Sequence, residues 1–235
     1  MMRKTGLILA AALLTAALCY TEEAVLPVEG GAELPAGEKY VALTFDDGPK
    51  RGTTDRLLDG LKERNVQATF FLIGQQIEDN ADLVARMREE GHQVGNHTWS
   101  HQRLDGATAD EAAQEVARTE AALEALLGGG KYWLRPPYGQ LNEHMEAGVP
   151  LVKWSVDPRD WESRDVGKVT NAVLENVKPG SIILLHDIYP TSVDAALRIV
   201  DRLEEDGYWF VTVEELLRLN GVEPEAGTMY RTGRG

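Results

Sequence analysis

The chain has 235 residues, 43% of them apolar and 7% aromatic, and a formal charge of −14. That length suits one large domain or two small ones, with the composition of an ordinary globular protein. The acidic balance argues against nucleic acid or an anionic membrane as partner, because both call for basic patches.

Arg3 and Lys4 lead into an apolar and small-residue run, Leu7 to Leu18, the layout of a secretory signal peptide. The run is short for a membrane span. Export is therefore expected, with residues 1–19 as the leader and cleavage after Cys19. A lipid on Cys19 or a retained N-terminal anchor are the rivals. Cys19 is the only cysteine, so the exported part has no disulfide and rests on its core. Residues 20–38, rich in Glu, Gly, Ala and Pro without periodicity, read as a linker. Residues 39–222 read as the folded domain and 223–235 as a flexible tail.

Within the domain, Tyr40-Val41-Ala42-Leu43 reads as a buried strand that runs into Asp46, Asp47, Gly48 and Pro49. Thr53 to Arg64 has helical spacing, with Leu57, Leu58 and Leu61 on one face. A strand over Thr69–Ile73, a helix over Asp79–Glu90 and a short strand over Gln93–Asn96 follow. Asp110 to Leu127 is a long amphipathic helix closed by three glycines. Tyr132–Arg135 reads as a strand entering Pro136-Pro137, Asn142–Ala147 as a brief helical turn, and Leu151–Val156 as a strand. Then come a helix over Val166–Val177, the very apolar strand Ser181–His186, a helix over Ser192–Asp206, a strand over Trp209–Thr212 and a helix over Val213–Leu219. Such strand–helix alternation implies a parallel sheet covered by helices. The domain comes close to the repeat count of a (β/α) barrel, and a doubly wound open sheet is the structural rival.

Polar residues gather at the strand ends: Asp46 and Asp47 after the first, Asn96 and His97 after the third, Arg135 at the fourth, Asp157 after the fifth, His186 at the sixth. In a parallel α/β fold these ends share one face, where sites form. Adjacent carboxylates repel, and a bound cation with one as ligand and the other as base would justify the pair; an Asp-Asp-Gly-Pro turn would otherwise be ordinary. His97 and His101 are four apart, which on a helical turn sets them about 6 Å apart, close enough to grip one ion. With a nearby aspartate they make a two-histidine, one-carboxylate set that leaves coordination positions open. Zinc is the natural candidate, with cobalt, nickel or manganese able to substitute. By itself, His186 reads as a satisfied core histidine. Trp161 is odd for a solvated turn and reasonable as the wall of a sugar site. His92 and His144 show no partner pattern and read as structural or surface residues.

Together the motifs T-F-D-D-G at Thr44–Gly48, H-T-W-S-H at His97–His101, R-P-P-Y-G at Arg135–Gly139, D-P-R-D-W at Asp157–Trp161 and L-L-H at Leu184–His186 resemble the polysaccharide deacetylases of carbohydrate esterase family four, the NodB-homology domain. The resemblance spans about Lys39 to Leu219, with every motif in the family's order. It implies an α/β fold, a distorted (β/α) barrel of about seven parallel strands with the active site at the C-terminal strand ends. It also implies one divalent metal and hydrolysis of N-acetyl, less often O-acetyl, groups on polymeric sugars. The segment from Gln140 to Pro150 is short for the helix that usually follows the Arg-Pro-Pro-Tyr motif.

By the same resemblance, Asp47, His97 and His101 would bind the metal and Asp46 would be the base. Arg135 would pair with Asp46, and the Tyr138 backbone N–H would stabilise the oxyanion. His186 would be the acid that protonates the leaving amine, kept charged by Asp157. Among the carboxylates near His186 in sequence, Asp160 is the second choice and Asp187 the third. Trp161 and Leu184 would line the acetyl pocket, with Pro137 and Tyr138 as further substrate contacts. The expected substrate is a GlcNAc-containing polysaccharide such as peptidoglycan or chitin oligomers, acted on by a monomer with no nucleic-acid or protein partner implied. The rivals are an O-acetyl esterase on xylan-type polysaccharide, a non-catalytic glycan-binding module, and an unrelated metal hydrolase such as a phosphoesterase.

Overall fold

Residues 38–141 and 144–234 are described by the structure, a computed structural model. The leader and linker readings for residues 1–37 lie outside the described residues. In chain order the elements are β1 (Lys39–Asp46), α1 (Thr54–Glu63), β2 (Thr69–Leu72), α2 (Ala81–Glu89), β3 (Gln93–Asn96), α3 (Ala109–Leu127), β4 (Leu151–Val152), α4 (Asp160–Ser163), α5 (Val166–Asn176), β5 (Ile182–His186), α6 (Pro190–Glu205), β6 (Tyr208–Phe210), α7 (Val213–Leu219) and β7 (Met229–Tyr230).

The organising sheet is parallel, in the order β3-β2-β1-β5, with β6 also on β1. β1 serves as a shared spine: Lys39 to Val41 pair with β6, Ala42 to Asp46 with β5, and Thr44 to Asp46 with β2. Such a spine must be apolar on both faces, and Val41, Ala42, Leu43 and Phe45 are all fully buried. Leu57, Leu58 and Leu61 of α1 and Val193, Ala196, Ile199 and Val200 of α6 pack into the same core. α3 and α7 each begin with a capping box, Thr108 with Glu111 and Thr212 with Glu215, which satisfies free N–H groups of the first turn.

The predicted seven-strand barrel is not closed by continuous ladders. The strand expected over Tyr132–Arg135 is reduced to isolated bridges from Leu134 to Asn96 and to Leu151, because glycines precede it and two prolines without N–H groups follow. The strand expected over Leu151–Val156 pairs as a strand only at β4, with a further bridge from Val156 to Ile183. The helical turn expected over Asn142–Ala147 falls partly on residues 142 and 143, outside the described residues, and residues 144–147 hold no helix.

The tail read as flexible is instead part of the fold. β7 pairs in parallel with β4, Tyr230 is buried, its hydroxyl accepts from Glu225 N at 2.9 Å, and Gly233 N donates to Gly180 O at 2.8 Å. The open edge of β4 needs a partner for its N–H and C=O groups, and Met229-Tyr230 supplies it. A two-residue strand in a polar run leaves no periodicity to read.

Candidate active site

Side chains alternate along a strand, so Thr44 and Asp46 of β1 share a face, as do Leu184 and His186 of β5. The register sets Thr44 beside Leu184 and Asp46 beside His186. Asp46 and His186 close their strands, and His97 follows the end of β3.

Arg135 is the fully buried cation of this face. Its guanidinium donates to Asp46 Oδ1 at 2.8 Å, Thr44 Oγ1 at 2.7 Å and the Lys153 carbonyl at 2.9 Å, and it lies 4.1 Å over the Phe71 ring. Burial lowers its pKa, and Asp46 opposes the shift. The pair holds one Asp46 oxygen and leaves Oδ2 facing His97 Nε2 at 3.7 Å.

Asp47 turns the other way, with a φ of 72° that few non-glycine residues adopt. Its Oδ1 lies 3.5 Å from His97 Nε2 and 3.3 Å from His101 Nε2, is buried, and has no hydrogen-bond partner. Thr98, His101 and Tyr138 are also held at positive φ, 68°, 60° and 58°. His97 Nδ1 donates to the Arg135 carbonyl at 2.6 Å, which fixes the tautomer and leaves the Nε2 lone pair toward Asp47. Burial and the neighbouring His97 lower the His101 pKa, favouring a neutral imidazole. Burial pushes the Asp47 carboxyl up, but the imidazoles around it bring it down to about 2. The three ligand atoms lie within 4.8 Å of one another. A tetrahedral zinc with bonds of about 2.0–2.1 Å needs ligand atoms about 3.3–3.4 Å apart. The trio thus fits a divalent cation, and its orphaned carboxylate oxygen calls for one.

His186 is partnered by Asp160, which corrects the expectation of Asp157. Its Nδ1 donates to Asp160 Oδ1 at 2.9 Å and its backbone N–H to Asp160 Oδ2 at 2.9 Å. Asp160 is fully buried, whereas Asp157 is exposed and accepts from Arg159 N at 2.8 Å. The αL turn at Arg159 is the reason: it opens α4 and brings the first carboxylate of that helix, not the one before the turn, onto β5. Burial would lower the His186 pKa, but Asp160, with Asp46 and Asp47 beyond it, raises it to about 9.

Asp187 does not serve His186 either. Its carboxylate is buried and accepts from the Thr54 hydroxyl. Burial raises its pKa to about 7. It packs so tightly on Gly48 that a Cβ there would lie 2.5 Å from it, so the loop after Asp47 requires glycine. His92 is a neutral core residue: Nδ1 accepts from Ala68 N at 3.0 Å and burial lowers its pKa to about 4.

Tyr138 is 55% exposed, with its ring 5.0 Å from that of His101. Its turn bonds through Gly139 N and Gln140 N, and no hydrogen bond among the described residues uses the Tyr138 N–H. Pro137 and Leu184 are buried, and Trp161 on α4 is 44% exposed.

A two-histidine, one-carboxylate cation site beside an arginine-held carboxylate and a carboxylate-held imidazole, on the strand ends of a parallel α/β sheet, defines the class of mononuclear hydrolytic metal centres. The sequence pattern of the polysaccharide deacetylases matches residues 33–150. The chain is 42% identical over 194 residues to the peptidoglycan-N-acetylglucosamine deacetylase PgdA of Listeria monocytogenes, covering 82% of this chain and 41% of that protein. It thus spans about two fifths of that relative's length. The peptidoglycan deacetylase PdaC from Bacillus subtilis superposes with a TM-score of 0.76 at 37% identity, over 80% of this chain and 94% of that one. A family 4 acetyl xylan esterase from Clostridium thermocellum in complex with cobalt superposes with a TM-score of 0.78 at 35% identity, over 83% and 98%. The chain belongs to the polysaccharide deacetylase family.

Proposed function

We propose that this chain is a metal-dependent hydrolase that removes N-acetyl groups from a GlcNAc-containing polysaccharide, peptidoglycan or a chitin-like oligomer, and releases acetate. The observation that carries the reading is the Asp46–Arg135 pair set against the Asp47, His97 and His101 trio, with His186 in register beside Asp46. The isolated bridges between β3, Leu134, β4 and β5 support reading the sheet as a distorted barrel with this site at its C-terminal strand ends. Export through the leader at residues 1–19 and action as a monomer belong to the same proposal.

Asp47, His97 and His101 would hold the ion, zinc by its donor set. When bound, the ion supplies Lewis acidity to the attacking water and the acetamide carbonyl. Asp46 Oδ2, left free by the arginine, takes the proton from the water. The unused Tyr138 N–H donates to the developing oxyanion. His186, oriented through Nδ1 by Asp160, gives its Nε2 proton to the leaving nitrogen, so that acetate and a free amine result. The test is acetate release from peptidoglycan, chitin oligomers and acetyl-xylan, with and without zinc. A rate on acetyl-xylan exceeding both amide substrates would select the esterase reading, which the Clostridium neighbour favours.

Chelation is expected to abolish acetate release and strip the bound metal while leaving far-UV circular dichroism nearly unchanged. The core residues of β1 and β5 pack without any contribution from the ion. Global unfolding on chelation would make the site structural instead.

His186 has a folded pKa raised to about 9, so it stays protonated through neutral pH and loses its proton as pH rises through that value. Asp160→Asn removes the partner and leaves burial dominant, so the alkaline limb of the pH–rate profile should move down by about two units or more. Asp157→Asn should leave the limb in place. A shift in Asp157→Asn alone would transfer the role back to Asp157.

A further inference from the structure

Besides Arg135, four arginines stack on aromatic rings next to the site residues: Arg103 on Tyr138 at 5.1 Å, Arg118 on Trp99 at 4.2 Å, Arg159 on Trp161 at 5.5 Å and Arg164 on Tyr189 at 3.3 Å. Two of them are neutralised, Arg103 by Asp105 at 2.7 Å and Arg159 by Glu162 at 2.8 Å. Arg164 has no carboxylate partner among the described residues. Its Nε donates to the Trp161 carbonyl at 2.6 Å, which pins the stacked guanidinium and leaves both terminal nitrogens free to donate. The neighbouring carboxylate, Asp165, is turned away to accept from Lys168 N and cap α5.

A second cation without a carboxylate partner among the described residues meets the same loop. Lys50 lies three residues past Asp47, and its Nζ donates to the Ile188 carbonyl at 3.1 Å. Arg56 also reaches this loop, at the Pro190 carbonyl, but is paired with Asp194 at 2.6 Å. The Tyr189 ring is 6.4 Å from the His186 ring. In a chain of net charge −14, two uncompensated cations thus converge on residues 188 and 189, one aromatic ring away from His186. A stacked, pinned guanidinium presents a rigid fork that matches a planar carboxylate.

We propose that Arg164, with Lys50, forms a subsite for a carboxylate carried by the glycan, so that the substrate is an acidic glycan strand rather than a neutral one. The inference rests on the deacetylase reading and narrows its substrate class. In a strand containing muramic acid, the carboxylate comes either from a free lactyl group or from a stem peptide.

The test measures Kd and kcat/KM for wild type, Arg164→Gln and Lys50→Gln on three ligands: neutral chitin oligomers, peptide-free strands with free lactyl groups, and strands bearing stem peptides. Arg164→Gln is expected to weaken Kd and lower kcat/KM about tenfold more on a carboxylate-bearing strand than on chitin oligomers, mainly through KM, because the contact is made equally in ground and transition states. Lys50→Gln should act in the same direction by a smaller factor. Added salt should weaken wild-type binding of the acidic strands selectively. A selective loss on peptide-free strands assigns the lactyl group, and one confined to peptide-bearing strands assigns the stem peptide. Equal loss on all three ligands would show that Arg164 only braces the Trp161 turn, and would overturn the proposal, as would the absence of any loss. A selective loss in Kd without acetate from any substrate would fault the deacetylase reading and leave the subsite standing.

Discussion

Asp46→Asn is expected to lower acetate release by a factor of about 10²–10⁴, the usual contribution of a positioned general base, while bound metal stays at one ion per chain. Asparagine keeps the shape of the side chain and an oxygen to accept from Arg135, but it has no carboxylate to take a proton. Asp47→Ala and His97→Ala should instead lose the metal itself, because Asp47, His97 and His101 are the residues that would hold the ion. Metal content by mass spectrometry separates the two outcomes without reference to rate. Near-normal turnover in Asp46→Asn, or loss of its metal, would show that the two adjacent carboxylates have been assigned the wrong way round.

Arg135→Leu is expected to destabilise the fold by about 3–5 kcal/mol, the cost of leaving one member of a buried ion pair unpaired. Arg135 is fully buried and Asp46 is 3% exposed, so water cannot take over the carboxylate. The substitution also removes the donors to Thr44 Oγ1 and the Lys153 carbonyl. Against a total stability of about 5–15 kcal/mol this is a large share, and a Tm drop of about 10 °C should be visible by calorimetry. Turnover should fail as well, since Asp46 would lose its orientation. The double variant Asp46→Asn/Arg135→Leu should regain part of the lost stability, because it buries no unpaired charge. A double variant that is less stable than the single changes added together would mean that the pair is not the main contribution of Arg135.

Much of the site was legible because its residue types are chemically restrictive. Two adjacent carboxylates at a strand end, two imidazoles four apart and an arginine before two prolines have few bland explanations once they occur in one α/β chain. By sequence Asp160 comes second, because distance along the chain favours Asp157, the residue nearer the end of its strand. The left-handed turn at Arg159, with a φ of 53°, reverses that order, and nothing in an arginine announces it. The same holds for Thr98 and Tyr138, whose positive φ values help to aim the site, at about 1–3 kcal/mol each, and come from tertiary constraint rather than residue type.

The sequence by itself determined the alternation of strands and helices, the parallel sheet and the motif set, because period and polarity are local properties of the chain. Only the tertiary structure decided which edges pair, since a strand's free N–H and C=O groups are satisfied by whatever lies beside them. For this reason Leu134 shrank to single bridges and Met229-Tyr230 emerged from a polar tail as the partner of β4. Packing likewise decided which charges are neutralised. Arg103, Arg159 and Arg164 are equally cationic in the sequence, and only in the fold do the first two find a carboxylate while the third keeps its donors free beside Tyr189.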